Sequence, residues 1–216
     1  MVGDNKSFIT YYLSPTTLSK EKSVASVRRT DKWQFGESPL RKHSRRFVMS
    51  EQVAVLMGSD SDLETMKETL SVLTKFDVSF DVKVLSAHRT PEQLVTYVKE
   101  ATLSGTKVFI AAAGGAAHLA GAVAANTHLP VIGVPIDATS LKGLDALLST
   151  VQMPPGVPVA TVAIGKFGAH NAALLAIQCL ALSDKGLEEK LIKFKADMVG
   201  KIDAKNAKAQ EVLKSL

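Results

Sequence analysis

The sequence predicts an α/β protein in which helices cover both faces of an open parallel sheet. From residue 53 onward, short β-rich runs alternate with helical patterns, and some runs are continuously apolar, as strands buried on both faces are. Parallel neighbours need crossovers, which the intervening helices supply. Five alternations in about 130 residues are too few for a closed eight-unit barrel. We therefore predict a three-layer, flavodoxin-like, doubly wound sheet with a C-terminal helical extension.

The first predicted strand is Val53–Met57, which ends at Gly58. The helix after it has capping-box spacing at Ser61 and Glu64. A second strand, Phe80–Leu85, precedes a helix with Thr90 as N-cap, Pro91 at the first position and Gln93 at the third. The remaining predicted strands are Lys107–Ala112, Val131–Val134 and Val159–Ile164. One further helix is predicted to begin near Ala116, two more to span Leu141–Val151 and Ala169–Leu182, and a last one to run from Leu187 onward.

Charge divides the 216 residues unevenly. Residues 1–50 hold 10 Lys and Arg against 4 Asp and Glu, whereas residues 51–216 are nearly neutral although the whole chain carries +5. The first 48 residues also lack apolar periodicity. We predict a basic, disordered or weakly ordered extension over residues 1–48, an α/β domain over 49–184 and a C-terminal helix over 185–216.

Three interpretations of residues 1–48 stay open. Arg-rich, Ser-rich and acid-poor composition is typical of an organellar transit peptide. A basic arm also suits nucleic acid or a membrane surface. The third interpretation, which we favour, is a leader without function upstream of a start at Met49. A secretory signal is not expected, because no apolar h-region follows the first charges.

Two features exclude other protein classes. Cys179 is the single cysteine, so an internal disulfide is impossible and a reducing, cytoplasmic location is expected. The segment Val108–Ala125 is uncharged, but its Ala and Gly content makes membrane insertion unfavourable. We interpret it as a buried strand, a turn and a small-residue helix.

Ligands of open α/β sheets bind outside the carboxyl ends of the strands, and the first such end reads Gly58-Ser59-Asp60-Ser61-Asp62. Ser59 and Ser61 offer hydroxyls beside the free amides of a helix N-terminus, which suits a phosphate. Asp62 offers an acceptor for ribose hydroxyls. Helix capping by the same residues is the competing interpretation.

The second strand end reads Ser86-Ala87-His88-Arg89-Thr90-Pro91. Arg89 is a natural bidentate partner for phosphate or carboxylate. His88 is the side chain best suited to move a proton near neutral pH. A purely structural His88 is disfavoured, because it stands between an apolar strand and a helix cap, where connections reach the surface.

The third strand end, around Gly114-Gly115 and His118, has almost no side-chain bulk. Gly and Ala let the backbone approach a flat ring and offer main-chain hydrogen bonds to its edge. Tight packing of strand on helix is a compatible interpretation. His118 either contacts the ligand or packs beside the site, whereas His128 and His170 lack such a context.

Absent motifs narrow the chemistry further. The sequence contains no G-x-x-x-x-G-K-[ST], no G-x-G-x-x-G after the first strand and no G-x-S-x-G, so nothing indicates an ATP, dinucleotide or serine-hydrolase site. No paired cysteines, carboxylate cluster or H-E-x-x-H supplies metal ligands. A phosphate and ribose cradle, a small-walled pocket for a planar base, and one histidine are left.

Six successive motifs resemble those of the PurE family, in its class I form, over about residues 52–184. They are Gly58-Ser59-Asp60-Ser61-Asp62, Ser86-Ala87-His88-Arg89-Thr90-Pro91, Ala113-Gly114-Gly115-Ala116-Ala117-His118-Leu119, Pro130-Val131-Ile132-Gly133-Val134-Pro135, Val151-Gln152-Met153-Pro154 and Asn171-Ala172-Ala173-Leu174-Leu175-Ala176. Ala120 departs from the proline usual in the third loop.

The resemblance implies a mutase of purine biosynthesis, which moves a carboxylate from the exocyclic nitrogen of an aminoimidazole ribonucleotide to ring carbon 4. It implies His88 as the catalytic acid and base, with Ser59, Asp62 and Arg89 on the nucleotide. Ser61, Ser86, Gly114 and His118 complete the expected substrate site. The resemblance implies no metal and no cofactor, and it implies a homo-octamer without nucleic-acid or membrane partners.

Two rival functions stay open at this point. One is a direct carboxylase that adds carbon dioxide to the aminoimidazole ribonucleotide. The other is a nucleotide-binding module without catalysis, because fold does not settle function.

Overall fold

The computed structural model describes residues 51–214; the extension predicted for residues 1–48 lies outside them. Five strands alternate with the helices. The strands are β1 (Val53–Met57), β2 (Phe80–Val84), β3 (Val108–Gly114), β4 (Val131–Ile136) and β5 (Ala160–Thr161). The helices are α1 (Leu63–Lys75), α2 (Pro91–Ser104), α3 (Leu119–Ala124), α4 (Leu144–Val151), α5 (Gly165–Ala181) and α6 (Lys185–Lys214).

The strands form one parallel sheet in the order β2-β1-β3-β4-β5. This is the strand order of flavodoxin-like folds, the architecture that the sequence predicted, and the direction of winding reverses between β1 and β3. In register, Met57 of β1 lies beside Val84 of β2 and Ala112 of β3. The loops that follow these three strands therefore emerge together at one edge of the sheet.

Alternation along β1 separates two apolar cores. Val53, Val55 and Met57 pack with α1, α5 and the start of α6, whereas Ala54 and Leu56 pack with α2 and α3. All five residues of β1 are buried, so the continuous apolar run predicted from the sequence is a strand covered on both faces. The three predicted layers are thus observed.

Helix starts differ most from the sequence prediction. A 3₁₀ turn, Asp60–Asp62, precedes α1, and its capping box joins Ser59 to Asp62; the predicted Ser61–Glu64 box is therefore wrong. Thr90 is the N-cap of α2 but makes no capping bond from its side chain. The hydroxyl of Ser61 donates instead to Ser59 Oγ, and the hydroxyl of Thr90 bonds to the backbone of Ser86.

The last two predicted elements also differ in length. β5 has only two residues paired with β4, at Ile132 and Gly133, so most of the predicted strand Val159–Ile164 lies outside the ladder. α6 is 30 residues long, and Leu187 near its start belongs to the core. Among the helices of residues 51–214, none has the length and apolarity that a membrane span needs.

Candidate active site

The carboxyl ends of β1, β2 and β3 surround a cavity of about 370 Å³. All eight residues singled out from the sequence line it: Ser59, Ser61, Asp62, Ser86, His88, Arg89, Gly114 and His118. The sheet brings them together from three loops that are distant in sequence. Their location follows from the parallel register, while the role of each stays a prediction.

The first loop is held by hydrogen bonds among its own polar groups. Ser59 Oγ accepts from the amide of Ser61 at 3.3 Å, and Asp62 Oδ2 accepts from the amide of Ser59 at 3.1 Å. Asp62 is 3% exposed, and this burial raises the pKa of its carboxyl above the ordinary value. The capping and ligand-binding interpretations are compatible here, because the hydroxyl of Ser61 stays on the exposed rim.

A clamp between Ser86 and Thr90 shapes the second loop. Thr90 Oγ1 accepts from the amide of Ser86 at 2.9 Å and donates to its carbonyl at 3.1 Å. The residues between them, including His88 and Arg89, are turned out toward the cavity. Arg89 Nη2 donates to the carbonyl of Gly58 at 3.1 Å, which ties the second loop to the first and leaves guanidinium donors for an anion.

His88 and His118 form a hydrogen-bonded pair at the mouth of the cavity. His88 Nε2 and His118 Nδ1 are 2.7 Å apart, and the rings meet edge to face at 83°. At this distance one nitrogen carries the proton and the other accepts it. The sequence predicted both histidines near the site but gave no sign that they touch, because they are 30 positions apart.

The third loop gives the cavity a wall without side-chain bulk. Gly114 ends β3, and Gly115 has a φ of +63°, a conformation that favours glycine. α3 begins at Leu119 rather than near Ala116, so residues 115–118 remain loop and His118 can reach His88. A Cβ on Gly114 would lie 2.6 Å from the Cβ of Ala138, so glycine is required by packing as well.

A fourth loop, which sequence reasoning missed, contributes Ala138 and Thr139 to the lining. It follows β4, the neighbour of β3 in the sheet. The rule that ligands bind at carboxyl ends of parallel strands could have found it. No unusual side-chain chemistry drew attention to these two residues.

Other chemistry-bearing groups lie elsewhere. Within residues 51–214, no cluster of three or more His, Cys, Asp or Glu side chains is arranged to hold a metal ion. His128 is exposed beside α2, and His170 lies 3.9 Å from Glu68 on the outer face of α1 and α5. Neither contributes to the cavity.

Fold and site together define a flavodoxin-like α/β protein with a cavity of about 370 Å³ at the switch point of its sheet. The model of the AIR carboxylase family matches residues 52–201. The chain belongs to this family.

Relatives of known name are similar over most of this domain. An N5-carboxyaminoimidazole ribonucleotide mutase of Pyrococcus abyssi is 56% identical over 147 residues, which are 68% of this chain and 83% of that protein. The mutase of Bacillus subtilis is 54% identical over 143 residues, 66% of this chain and 88% of that protein. The crystal structure of Treponema denticola PurE has a TM-score of 0.67 at 31% identity, covering 72% of this chain and 96% of that one.

Proposed function

We propose that this chain is an N5-carboxyaminoimidazole ribonucleotide mutase, an isomerase of purine biosynthesis. It moves the carboxylate of the substrate from the exocyclic nitrogen to ring carbon 4. The observation that carries the proposal is the pairing of His88 with His118 at a small-walled cavity, in a chain 56% identical over 147 residues to a protein of that name.

The polar rim of the cavity would bind the phosphate and ribose. Arg89 lies exposed between the first two loops and has free donors, and the hydroxyls of Ser59, Ser61 and Ser86 stand beside it. Charge-assisted bonds to a phosphate are about twice as strong as neutral ones. The carboxyl of Asp62 would accept from ribose hydroxyls.

The aminoimidazole ring would lie against Gly114 and its alanine neighbours. A wall of Gly and Ala lets a planar ring approach the backbone closely. Close contact between this wall and the ring would also leave little room for carbon dioxide to diffuse away once the carbamate breaks. Retaining the two fragments side by side makes recarboxylation effectively unimolecular.

One acid–base group is enough for the proton balance. The nitrogen–carbon bond of the carbamate breaks, carbon dioxide forms, and the nitrogen takes up one proton. Carbon 4 then bonds to carbon dioxide, and re-aromatisation releases the proton that carbon 4 carried. We assign both transfers to His88, with His118 holding its ring and tautomer through the 2.7 Å hydrogen bond.

Incubation of the purified protein with the carboxyamino nucleotide, without ATP, tests the function. A mutase forms the carbon-carboxylated product, whereas a direct carboxylase requires aminoimidazole ribonucleotide and carbon dioxide, and a binding module forms neither product. The mutase is favoured over the carboxylase because the proteins 54% and 56% identical to this chain both bear the mutase name.

We further propose a homo-oligomer, expected as an octamer from the class I resemblance, and a cytoplasmic location consistent with a single unpaired cysteine. An apolar stripe on α4 and the loop before it supports association: Leu141 in the loop and Leu144, Leu148 and Val151 in the helix are 48–60% exposed in the single chain. Exposed apolar stripes of this kind mark association surfaces. Analytical ultracentrifugation of wild type and of Leu148→Ser tests this, with dissociation expected for the variant.

A further inference from the structure

The fourth loop, residues 137–143, forms one side of the cavity. It runs from the end of β4 to α4, and Ala138 and Thr139 line the cavity opposite the loop of Arg89. Neither residue carries a group that could react with substrate by proton transfer at neutral pH. Their place in the lining is therefore a matter of shape.

This loop lies directly against the glycines of the third loop. A Cβ on Gly114 would collide with Ala138, and one on Gly115 would lie 3.7 Å from the Thr139 methyl group. The two loops thus meet without intervening side chains. A small displacement of residues 138–139 would open the cavity at this seam.

The loop is fixed by the hydroxyl of Thr139. Thr139 Oγ1 accepts from the amide of Leu141 at 3.2 Å and donates to Asp145 Oδ2 at 2.7 Å. Lys142 and Gly143 both have positive φ, 50° and 83°, so the chain turns sharply before α4. Positive φ is unfavourable for lysine, and the hydrogen bonds of Thr139 hold the turn in place.

Asp145 is the partner that holds the hydroxyl of Thr139. Its Oδ2 accepts from Thr139 Oγ1, and the backbone amides of Asp145 and Ala146 act on the same carboxylate. The bond from Thr139 lowers the pKa of Asp145, so the carboxylate is ionised at neutral pH and the bond is charge-assisted.

We propose that Asp145 is a positioning residue that acts through Thr139 to hold residues 138–139 against Gly114 and Gly115, and so keeps carbon dioxide in the cavity during the rearrangement. The proposal rests on the mutase function. It concerns the fate of the intermediate rather than the chemistry of its formation. Asp145 does not line the cavity itself.

The test follows carbon from substrate to product. Carboxyamino nucleotide labelled with ¹³C in the carboxylate is converted in excess unlabelled bicarbonate, and retained label and free aminoimidazole ribonucleotide are measured against an enzyme-free blank. Wild type should retain most of the label. Asp145→Ala should release free nucleotide or exchange label at least about fivefold more per turnover, the scale of one lost hydrogen bond.

Matched variants separate positioning from stability. Asp145→Asn keeps an acceptor for Thr139 and should restore most of the retention. Ser149→Ala removes a 2.8 Å bond within α4 to the carbonyl of Asp145 and should leave retention unchanged. If Asp145→Ala fails to fold, Thr139→Val decides, because it removes the hydroxyl and keeps the methyl contact with Gly115.

The outcomes are distinct. Failure of wild type to convert the labelled substrate overturns the mutase function. Conversion by wild type with full loss of label is the result expected of a direct carboxylase, so it also overturns the mutase function. Equal retention in wild type, Asp145→Ala and Thr139→Val overturns the positioning role alone. A lower kcat in Asp145→Ala with unchanged retention also overturns it, since a merely structural residue behaves in that way.

Discussion

The loops that follow β1, β2 and β3 and the helix α6 depend on different forces. Short polar contacts such as Arg89 to Gly58 and His88 to His118 shape the loops, and the side chains of His88, Arg89 and His118 are exposed. α6 is held by apolar side chains near its start, with Leu187 buried and Phe194 edge-on to Phe76 at 5.7 Å. Changes in the loops should therefore alter function, and changes at the start of α6 should alter stability.

The largest effect is expected at His88. His88→Asn should lower the rate of rearrangement by about 10²–10⁴-fold, since the amide fills the space but cannot exchange a proton at neutral pH. Thermal unfolding should stay near wild type because His88 is exposed. Nucleotide affinity should also stay near wild type, because the amide fills the same space and still forms hydrogen bonds. Steady-state rates and calorimetric binding check this, with His128→Asn as control. More than about a tenth of wild-type turnover in the variant would remove His88 from the catalytic role.

Arg89 should affect binding more than stability. Arg89→Ala should weaken nucleotide binding by about 1.5–3 kcal/mol, the scale of a charged hydrogen bond, which corresponds to roughly 10–150-fold. Arg89→Lys should recover only part of the affinity, because an ammonium lacks the guanidinium fork. Equilibrium titration with the ribonucleotide measures both, and Lys99→Ala, a cation far from the cavity, is the control. Unchanged affinity in Arg89→Ala would contradict the assignment.

The start of α6 should show the opposite behaviour. Leu187 is 6% exposed, so Leu187→Ala should lower the free energy of unfolding by about 2–3 kcal/mol with little change in turnover of the folded protein. Ile202, 61% exposed in the single chain, should change it by less than about 0.5 kcal/mol when replaced by Ala. Urea unfolding compares the two. Equal losses would mean that the second half of α6 is covered by another chain.

Asp62 combines a property of each region, because it lies in a site loop and is buried like the start of α6. Its pKa is raised in the folded protein by burial, so its ionised form costs stability above the ordinary pKa of 3.8. Asp62→Asn should therefore raise the free energy of unfolding at pH 7.5, by an amount that shrinks as pH falls toward 3.8, while nucleotide binding weakens. Urea unfolding at pH 7.5 and pH 4.5 checks this. A stability gain that does not depend on pH would contradict the explanation.

The smallest effect is expected from the basic N-terminal segment. The family match begins at residue 52, and the net charge of residues 1–50 sets them apart from the rest. A chain that begins at Met49 should keep wild-type turnover. Side-by-side kinetics of the two proteins test this, and a loss beyond about tenfold with folding intact would mean that the segment assists the reaction.

The sequence predicted the fold well where burial dictates residue type. β1 is apolar because both faces of the sheet are covered, and α5 is apolar where it packs on the sheet. The positions of both elements were predicted within a few residues. β5 was predicted too long, because an apolar run such as Val159–Ile164 does not reveal how many of its residues find a partner strand. The capping box was misplaced from Ser59 to Ser61, because both serines have an acidic residue three positions later.

By itself, the sequence determined the parallel sheet, the three loops that line the cavity and the small-walled character of the site, because apolar periodicity and loop composition are local properties of a chain. Tertiary structure alone decided that His88 meets His118, that Arg89 bridges to Gly58, and that Ala138 and Thr139 close the cavity over Gly114. These contacts join residues from different strand ends, and hydrogen bonds form only when donor and acceptor lie within about 3 Å. The sheet register and the conformations of the loops together set that distance.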